Sequence, residues 1–290
     1  MMTFFIFGFG YTAQFLAPEL SQLGFSISGT TRQPGKIKQG DRQAYNLIDF
    51  FDPKLESQLE RATHILITIP PIESVGDIVL AHYTDLLKRC SSSIQWIGYL
   101  SSTGVYGNQN GQWVDESASC IPSSRHGILR FEAENAWRSF AEACTLPLHT
   151  FRLAGIYGPG RNALTRLEGG KQYSIYKEGQ VFSRIHVEDI ALTIIASIQS
   201  PNPLSVYNVA DDEPAPAHVV DAYAAHLLGR PALPCLPVEE AALSAMEKAF
   251  YAESRRVSNA KIKEELKVIL QYPSFRDGLK KIKADRLDEG

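Results

Sequence analysis

The first half of the chain alternates between short apolar runs and segments in which apolar residues recur at helical spacing. The apolar runs have the length of β-strands, and several of them are rich in β-branched residues. They lie at residues 4–7, 25–32, 45–48, 64–71 and 94–100. The run at 64–71 is continuous rather than alternating, as expected for a parallel strand that is covered on both faces. The pattern predicts an α/β fold built on a doubly wound parallel sheet.

The segments between these strands predict helices. In the first segment, apolar residues recur at helical spacing from Ala13 to Leu23, and Gly24 is a natural end for the helix. Pro18 lies inside this segment. Because proline lacks a backbone donor, we expect it to kink the helix or leave it short. Further helices are predicted at residues 55–62 and 79–88.

Composition narrows the classes of function. Of the 290 residues, 44% are hydrophobic and 21% are charged, which is ordinary for a globular protein. The formal net charge is −3 and no block of like charges occurs, so the chain lacks the basic surface that nucleic acids and anionic membranes attract. We therefore expect a small-molecule substrate, with neither nucleic acid nor membrane as a partner.

The four cysteines lie far apart in the sequence and form no Cys-x-x-Cys pair. This is typical of reduced thiols in a cytosolic protein and gives no indication of a metal site. The apolar N-terminus lacks the basic residues and the cleavage site of a signal peptide, and no apolar run reaches the roughly 18 residues of a membrane span. The expected location is the cytoplasm.

The strand at residues 4–7 runs into Gly8-Phe9-Gly10-Tyr11-Thr12-Ala13, which has the spacing Gly-x-Gly-x-x-Ala. In this pattern the first glycine permits a tight turn, and the second lets the backbone approach a pyrophosphate. The small third residue lets the helix lie close to the strand. Gly8, Phe9, Gly10, Tyr11 and Thr12 are then predicted to contact a dinucleotide, with the free N–H groups at the start of the helix facing a phosphate. An ordinary strand-to-helix turn is the alternative, but the preceding strand and following helix favour the dinucleotide site.

The end of the second strand lies about 20 residues beyond the first glycine, where such a site contacts the adenosine ribose. An NAD-preferring protein would carry a carboxylate there, and this stretch contains none. Thr30, Thr31 and Arg32 instead offer two hydroxyls and a guanidinium that suit a 2′-phosphate, so the sequence favours NADP over NAD. The alternative is a surface arginine in a loop that continues through residues 33–35.

Two more residues are predicted to contact the cofactor. Asp49, after the third strand, is placed to approach an adenine. The Pro70-Pro71 pair forbids a helix directly after the fourth strand, so the chain should continue as an extended loop. In a doubly wound sheet, a loop at the carboxyl end of a strand lies at the cofactor crevice.

Several motifs occur together in one order along the chain. After the glycine motif come Ser-Ser-Thr-Gly-Val-Tyr-Gly at 101–107, Phe-Arg-Leu-Ala-Gly-Ile-Tyr-Gly-Pro-Gly at 151–160, Arg-Ile-His-Val-Glu-Asp-Ile at 184–190 and Val-Tyr-Asn-Val at 206–209. With these motifs the chain resembles an extended short-chain dehydrogenase/reductase of the NAD-dependent epimerase/dehydratase family, and more closely its atypical members. The resemblance covers nearly the whole chain. It implies a Rossmann-type fold and reversible hydride transfer at a hydroxyl or keto carbon of a sugar-nucleotide-like metabolite.

The resemblance also implies a catalytic set. In the family, a serine or threonine after the fifth strand acts with a Tyr-x-x-x-Lys pair on the next helix, which exchanges the substrate proton. Ser102 matches the serine position, and Ser101 beside it is predicted to contact the cofactor. At the tyrosine and lysine positions this chain has His126 and Arg130 instead. A bond to local backbone is the alternative role for Ser102.

His126 and Arg130 admit two interpretations. They are four residues apart and share one helix face, so the guanidinium would favour a neutral imidazole that acts as a general base, while Arg130 bonds the ribose hydroxyls. Alternatively, Ser123 or Ser124 caps an amphipathic helix and both residues merely flank it. The buried stripe of that helix would be Leu129, Ala133, Ala136, Trp137, Phe140 and Cys144. The protein would then be a catalytically silent NADP(H)-binding sensor or regulatory protein.

The resemblance further implies a division of the chain. Residues 1–157, with 186–212 returning to them, would form the NADP-binding Rossmann domain, and 158–185 with 213–290 would form a smaller substrate-binding part. The smaller part contains Arg161, Arg166, Lys171 and Arg184. These cations suggest an anionic substrate, although a solvated loop would carry as many.

Two hypotheses concern residues and surfaces outside the catalytic set. Tyr106 and Tyr157 could supply a phenol in place of the missing tyrosine, but the resemblance implies that both are structural neighbours of the cofactor. The resemblance also raises the hypothesis of a homodimer formed through the helices that flank the fifth strand.

Overall fold

The computed structural model describes residues 2–32 and 45–288 of the chain. The loop interpretation of residues 33–35 lies outside the described residues. Contacts within the chain define two compact units. The first consists of Met1–Ser102, Ile128–Arg152 and Ile190–Tyr207, and the second of Thr103–Gly127, Leu153–Asp189 and Asn208–Gly290. The division into a cofactor-binding and a substrate-binding part concerns function and stays a prediction.

The first unit is built on a seven-stranded sheet. Its strands are β1 (Thr3–Phe7), β2 (Ser26–Thr30), β3 (Asn46–Ile48), β4 (His64–Ile67), β5 (Trp96–Ser102), β7 (Leu148–Leu153) and β11 (Ser205–Val209), in the order β11-β7-β5-β4-β1-β2-β3. The neighbouring pairs from β3 to β5 are all parallel. All five strands predicted from the first half of the sequence are confirmed, with shifted ends.

Ten α-helices occur in the described residues. They are α1 (Tyr11–Gln22), α2 (Leu55–Leu59), α3 (Ile78–Arg89), α4 (Arg125–Cys144), α5 (Ala163–Glu168), α6 (Val187–Gln199), α7 (Ala217–Leu227), α8 (Ala245–Ala252), α9 (Ala260–Glu264) and α10 (Phe275–Asp288). Pro18 does not shorten α1, which continues to Gln22. Proline lacks the backbone N–H that would continue the helical hydrogen bonds. The burial of Leu16 and Leu20 stabilises the helix enough to offset this loss.

Both faces of the sheet are covered. On one face, Phe5 of β1 belongs to an apolar cluster with Trp137 of α4 and residues of α2 and α3. On the other face, Phe4 packs against Trp96 with ring centroids 5.8 Å apart, and the Trp96 indole donates to Ser197 Oγ of α6 at 3.2 Å. Alternate residues of β1 therefore enter opposite layers, as strand geometry requires. The fold is the Rossmann-type, doubly wound α/β arrangement that the sequence predicts.

The second unit contains three short parallel strand pairs and a helical cluster. The pairs are β6 (Trp113–Val114) with β13 (Arg256–Val257), β8 (Gly155–Tyr157) with β10 (Arg184–His186), and β9 (Ser174–Tyr176) with β12 (Cys235–Pro237). Apolar residues of α5, α7 and α10 pack together around the fully buried Leu164 and Phe275.

Helix α4 carries the two residues at the unusual catalytic positions. The Gly127 N–H donates to Ser124 Oγ at 3.3 Å, so Ser124 caps the start of the helix. Leu129, Ala133 and Trp137 of the predicted stripe are buried and Phe140 and Cys144 are half-buried, but Ala136 is exposed and its assignment to the stripe was wrong. Ala141 is buried instead, because it lies one turn beyond Trp137 on the same face.

Residues 2–32 and 45–288 contain neither a membrane-spanning helix nor a metal-binding cluster. None of the helices has both the length and the apolar character that crossing a membrane requires. No group of at least three histidine, cysteine or acidic side chains in this part of the chain is arranged to hold a metal ion.

Candidate functional site

The glycine motif forms the turn between β1 and α1, and the ends of the neighbouring strands hold it. The Gly8 N–H donates to Thr30 Oγ1 at 2.9 Å, and the Phe9 N–H donates to the Thr30 carbonyl at 2.6 Å. The Thr68 hydroxyl donates to the Gly8 carbonyl at 2.5 Å. Because Thr30 ends β2 and Thr68 follows β4, the sheet itself fixes the path of the turn.

The two glycines of this turn are needed for different reasons. Gly8 has a φ of +94°, and a Cβ there would lie 2.6 Å from Thr68 Oγ1. Gly10 has an extended backbone, and in the described part of the chain a Cβ there would meet only the Gly8 carbonyl oxygen, at 4.0 Å. The packing of the protein therefore requires glycine at position 8, whereas the space beside Gly10 is open to a ligand.

The start of α1 provides donors for an anion. Gly10 is the N-cap residue, and among the described residues no side chain caps this helix and no acidic residue lies in its first turn. The Gln14 N–H closes the first turn on the Gly10 carbonyl at 3.2 Å. Tyr11 is half-buried and Thr12 is buried. The helix dipole and the N–H groups at this end favour a phosphate.

The end of β2 was predicted to contact a 2′-phosphate. The contribution assigned to Thr30 was wrong, because its hydroxyl accepts the Gly8 N–H and its side chain is only 1% exposed. Thr31 is half-buried, and its N–H donates to the Ile48 carbonyl at 2.9 Å. Arg32 is exposed. Thr31 and Arg32 therefore remain the candidates for contacting a 2′-phosphate at the end of β2.

The other two predicted cofactor contacts lie in loops after β3 and β4. Asp49 is exposed, and its Oδ1 accepts the Phe51 N–H at 2.9 Å, which holds the carboxylate against its own turn. Pro70 is exposed in a loop that turns back through the bond from the Ile72 N–H to the Gly76 carbonyl, at 2.9 Å. Helix α3 begins only after this loop, as the two prolines predicted.

Arg130 is directed at the end of β5. Its Nη1 donates to the Leu100 carbonyl at 2.7 Å and to the Tyr99 hydroxyl at 3.3 Å. Burial raises the pKa of Tyr99 well above its usual value, so this phenol stays neutral and can accept the bond. Arg130 therefore holds the backbone directly before Ser101 and Ser102.

The two serines lie at the carboxyl end of β5. Ser101 is 4% exposed, and its Oγ has no hydrogen-bond partner among the described residues. Ser102 is half-buried and is the last residue of the strand. The glycine turn lies at the carboxyl end of β1, which is parallel to its neighbours. The structure thus brings the predicted cofactor residues and Ser102 to one edge of the sheet, where doubly wound folds bind ligands.

His126 belongs to the second unit, unlike Ser102 and Arg130. It lies in the first turn of α4, one helical turn before Arg130, and its side chain is exposed. The next residue, Gly127, packs closely: a Cβ there would lie 2.7 Å from the Gly104 carbonyl oxygen. The first turn of α4 is therefore pressed against the turn at residues 103–106.

The hydroxyls of Tyr106 and Tyr157 have partners within the second unit. Tyr106 donates to Asn208 Oδ1 at 2.7 Å, and Tyr157 donates to the Ser274 carbonyl at 3.2 Å. Burial raises the pKa of Tyr157 well above its usual value. Both phenols are committed to the fold, as expected of structural residues.

The cations between residues 161 and 184 are largely engaged inside the second unit. Lys171 Nζ donates to Asp221 Oδ2 at 2.5 Å, and Arg166 lies 3.8 Å from the other oxygen of the same carboxylate. Arg184 donates to two backbone carbonyls, both at 2.8 Å. Arg166, Lys171 and Arg184 therefore bond or pair within the second unit, which weakens the indication of an anionic substrate.

Two buried ion pairs near the predicted site residues were not predicted. Arg152 of β7 pairs with Glu134 of α4 at 2.8 Å, and both side chains are less than a tenth exposed. Arg255 pairs with Glu253, also at 2.8 Å. The sequence did contain a signal for the Arg152 pair: a charged residue within an apolar strand needs a buried partner of opposite charge.

Comparisons with known proteins identify the family. The model of the NAD dependent epimerase/dehydratase family matches residues 71–210. The structure of a functionally unknown conserved protein from Silicibacter pomeroyi is 44% identical, covers 98% of this chain and 99% of that chain, and superposes with a TM-score of 0.92. The chain belongs to the NAD-dependent epimerase/dehydratase family. The resemblance found in the sequence motifs is thereby confirmed.

More distant members of the epimerase/dehydratase family have named activities. A dTDP-L-rhamnose 4-epimerase from Burkholderia thailandensis is 22% identical over 194 residues, which are 54% of this chain and 53% of that relative. The match thus spans about half the length of this curated relative. The dTDP-glucose 4,6-dehydratase of Bacillus anthracis, solved in complex with NAD, is 18% identical with a TM-score of 0.79, covering 100% of this chain and 98% of that one. At this identity the likeness shows the fold.

The glycine turn fits the nicotinamide dinucleotide on which this family depends. The open side of Gly10 leaves room for a pyrophosphate, and the uncapped start of α1 supplies donors. Membership in the epimerase/dehydratase family supports a nicotinamide cofactor.

Proposed function

We propose that the chain binds NADP at the glycine turn and uses it for reversible hydride transfer at a hydroxyl or keto carbon of a sugar-nucleotide-like metabolite. The observation that carries the cofactor part is the contrast between Gly8, which packing requires, and Gly10, whose open side no atom of the described residues fills. The family and its dTDP-sugar epimerase and dehydratase relatives support the reaction class. A cytoplasmic location and a homodimer belong to the same proposal.

We expect NADPH to bind more tightly than NADH, and Arg32→Ala to remove that preference. A guanidinium bonded to a 2′-phosphate contributes about 1.5–3 kcal/mol, so NADPH affinity should fall at least roughly tenfold while NADH affinity stays the same. Fluorescence titration with each coenzyme measures both values. The matched control is Arg61→Ala, an exposed arginine of the same unit. Tighter binding of NADH by the unaltered protein would contradict the assignment to NADP.

Within this proposal, each catalytic candidate has a separate role. Ser102, at the end of β5, donates a hydrogen bond to the reacting oxygen, and the His126 imidazole exchanges the proton of the alcohol. Arg130 keeps the end of β5 in place through Leu100 and Tyr99. A guanidinium has five N–H donors, so Arg130 retains donors for ribose hydroxyls while making these two bonds.

His126→Ala is expected to lower kcat by about 10²–10⁴-fold, the usual contribution of a general base, without a change in NADPH affinity. The assay follows NADPH absorbance with a panel of sugar nucleotides and their keto derivatives. His226→Ala, an exposed histidine on α7, is the matched control and should keep full turnover. Full turnover by the His126 variant would remove the general-base assignment.

A second candidate function is a catalytically silent NADP(H) sensor or regulatory protein. The observation that favours it is that Arg130, at the position of the family's lysine, bonds β5 itself. On this alternative the protein binds NADPH with the same dependence on Gly10 and Arg32, but no member of the substrate panel changes NADPH absorbance.

A further inference from the structure

Two charged residues after α8 form a buried pair in the second unit. Glu253 directly follows the helix, and its Oε2 lies 2.8 Å from Nη1 of Arg255. The two side chains are only 7% and 16% exposed. Removing charges from water is unfavourable unless hydrogen bonds replace the lost hydration. The partners of this pair therefore indicate what it stabilises.

The second carboxylate oxygen of Glu253 holds the segment that precedes α4. Oε1 accepts the Ser123 hydroxyl at 2.9 Å and the Ser124 N–H at 3.2 Å. Ser124 in turn caps the helix through the Gly127 N–H. Glu253 thus fixes the residues that set the direction of the first turn of α4, which contains His126.

Arg255 holds a different segment, the turn that follows β5. The same Nη1 that contacts Glu253 donates to the Gly107 carbonyl at 2.7 Å. Gly107 has a φ of +67°, and a Cβ there would lie 1.9 Å from the Ile121 carbonyl oxygen. The backbone after β5 and the backbone before α4 are therefore in direct contact, and the ion pair bonds both of them.

The charge on Glu253 is maintained by its partners. Burial alone would raise the pKa of this carboxyl, but the hydrogen bonds from Arg255 and Ser123 outweigh it, and the pKa lies below its usual value. The side chain is therefore a carboxylate at neutral pH, which accepts hydrogen bonds and donates none. All of its contacts with Ser123, Ser124 and Arg255 are consistent with this state.

We propose that Glu253 and Arg255 are positioning residues for His126, joining the start of α4 to the turn at residues 103–107 and so setting where the imidazole lies. The two side chains act through Ser123, Ser124 and Gly107. The proposal rests on the proposed function for its effect on turnover. The position of His126 itself is measurable without a substrate.

The test uses the full chain with isotope-labelled histidine and follows the imidazole signals by NMR, with the His126 signal assigned from the His126→Gln variant. Glu253→Ala should displace the His126 signal and leave the other histidines unchanged. Glu253→Gln should displace it less, because the amide oxygen still accepts from Ser123 and Ser124 while the amide NH₂ cannot accept from Arg255. Arg255→Ala should displace it through loss of the Gly107 bond.

The matched control is Glu168→Ala, which breaks an ion pair with Arg286 in the same unit, where the Glu168 side chain is 41% exposed. This variant should leave the His126 signal in place. If the signal of His126 coincides with that of the unaltered protein in folded Glu253→Ala or Glu253→Gln, the positioning role is rejected. Should Glu253→Ala fail to fold, the result for Glu253→Gln decides whether Glu253 has the positioning role, because this variant retains the bonds from Ser123 and Ser124.

A parallel thermal-shift measurement with NADPH separates this proposal from the proposed function. If NADPH does not stabilise the unaltered protein, the proposed function fails and the NMR result still decides the role of Glu253. If the substrate panel yields turnover, Glu253→Gln should lower kcat with little change in KM, because it moves the proton-exchanging group and not the substrate contacts. An equal loss of stability in Glu253→Gln and Glu168→Ala with an unmoved His126 would show a merely structural role.

Discussion

Gly10→Glu is expected to abolish NADPH binding in a chain that remains folded. The backbone of Gly10 has φ −97° and ψ −157°, which any L-residue can adopt, and among residues 2–32 and 45–288 the nearest atom to an added Cβ is 4.0 Å away. A glutamate there places bulk and negative charge where the pyrophosphate must approach the start of α1. Loss of two charge-assisted hydrogen bonds costs about 3 kcal/mol or more, so the Kd for NADPH should rise at least roughly a hundredfold. Fluorescence titration measures the Kd, and a thermal melt without ligand confirms folding.

Two control variants make the result of Gly10→Glu specific. Gln14→Glu adds the same charge one turn further along α1, at an exposed position outside the turn, and should change the Kd much less. Gly8→Ala should lower the melting temperature instead, because its Cβ would meet Thr68 Oγ1 and its φ is positive. If Gly10→Glu binds NADPH with unaltered affinity, the pyrophosphate does not lie beside Gly10. If Gly10→Glu does not fold, the conclusion that the space beside Gly10 is open is wrong.

The glycine turn could be predicted from the sequence because every signal for it is local. An apolar strand, a Gly-x-Gly-x-x-Ala spacing and a helical pattern follow one another within ten residues. The partners that hold the turn could not be predicted. Thr30 lies 22 residues from Gly8 and Thr68 lies 60 residues away, and each reaches the turn only because β2 and β4 flank β1. For the same reason the Thr30 hydroxyl was wrongly assigned to a phosphate.

Helical spacing gave the relation between His126 and Arg130 correctly, because residues four apart share a face of α4. Spacing says nothing of what a long side chain reaches. Arg130 bonds the Leu100 carbonyl, 30 residues away, and Glu253 bonds Ser123, 130 residues away. Such contacts arise from the tertiary fold and leave no period in the sequence. The catalytic assignments of Ser102, His126 and Arg130 accordingly stay predictions.

The same limit applies to the cations of the second unit. Read along the chain, five positive side chains within residues 161–184 suggest a site for an anion. In the fold, the carboxylate of Asp221, 50 residues beyond Lys171, already accepts from that lysine. Charge counted along a sequence therefore overstates the charge that is available to a ligand, because oppositely charged residues from distant segments neutralise it.

Arg152→Leu is expected to destabilise the protein by about 3–5 kcal/mol, the usual cost of leaving one partner of a buried ion pair unpaired. Nε of Arg152 donates to both oxygens of Glu134 at 3.2 Å, and Nη2 donates to one of them at 2.8 Å. Leucine suits the apolar surroundings of β7, but it leaves the Glu134 carboxylate buried without the hydrogen bonds that the Arg152 guanidinium donates. A thermal melt should show the melting temperature lower by roughly 10 °C.

A double variant separates the cost of leaving the Glu134 charge buried and unpaired from the contribution of the ion pair itself. In Arg152→Leu with Glu134→Leu, neither charge is buried, so stability should return close to that of the unaltered protein or exceed it. Arg138→Leu is the matched control, since Arg138 pairs with Glu142 on the same helix at 3.0 Å with both side chains about half exposed. Its loss should cost only about 0.5 kcal/mol. If the double variant were as unstable as Arg152→Leu, the attraction between Arg152 and Glu134 would itself hold β7 against α4. The instability of Arg152→Leu would then not come from an unpaired buried Glu134 carboxylate.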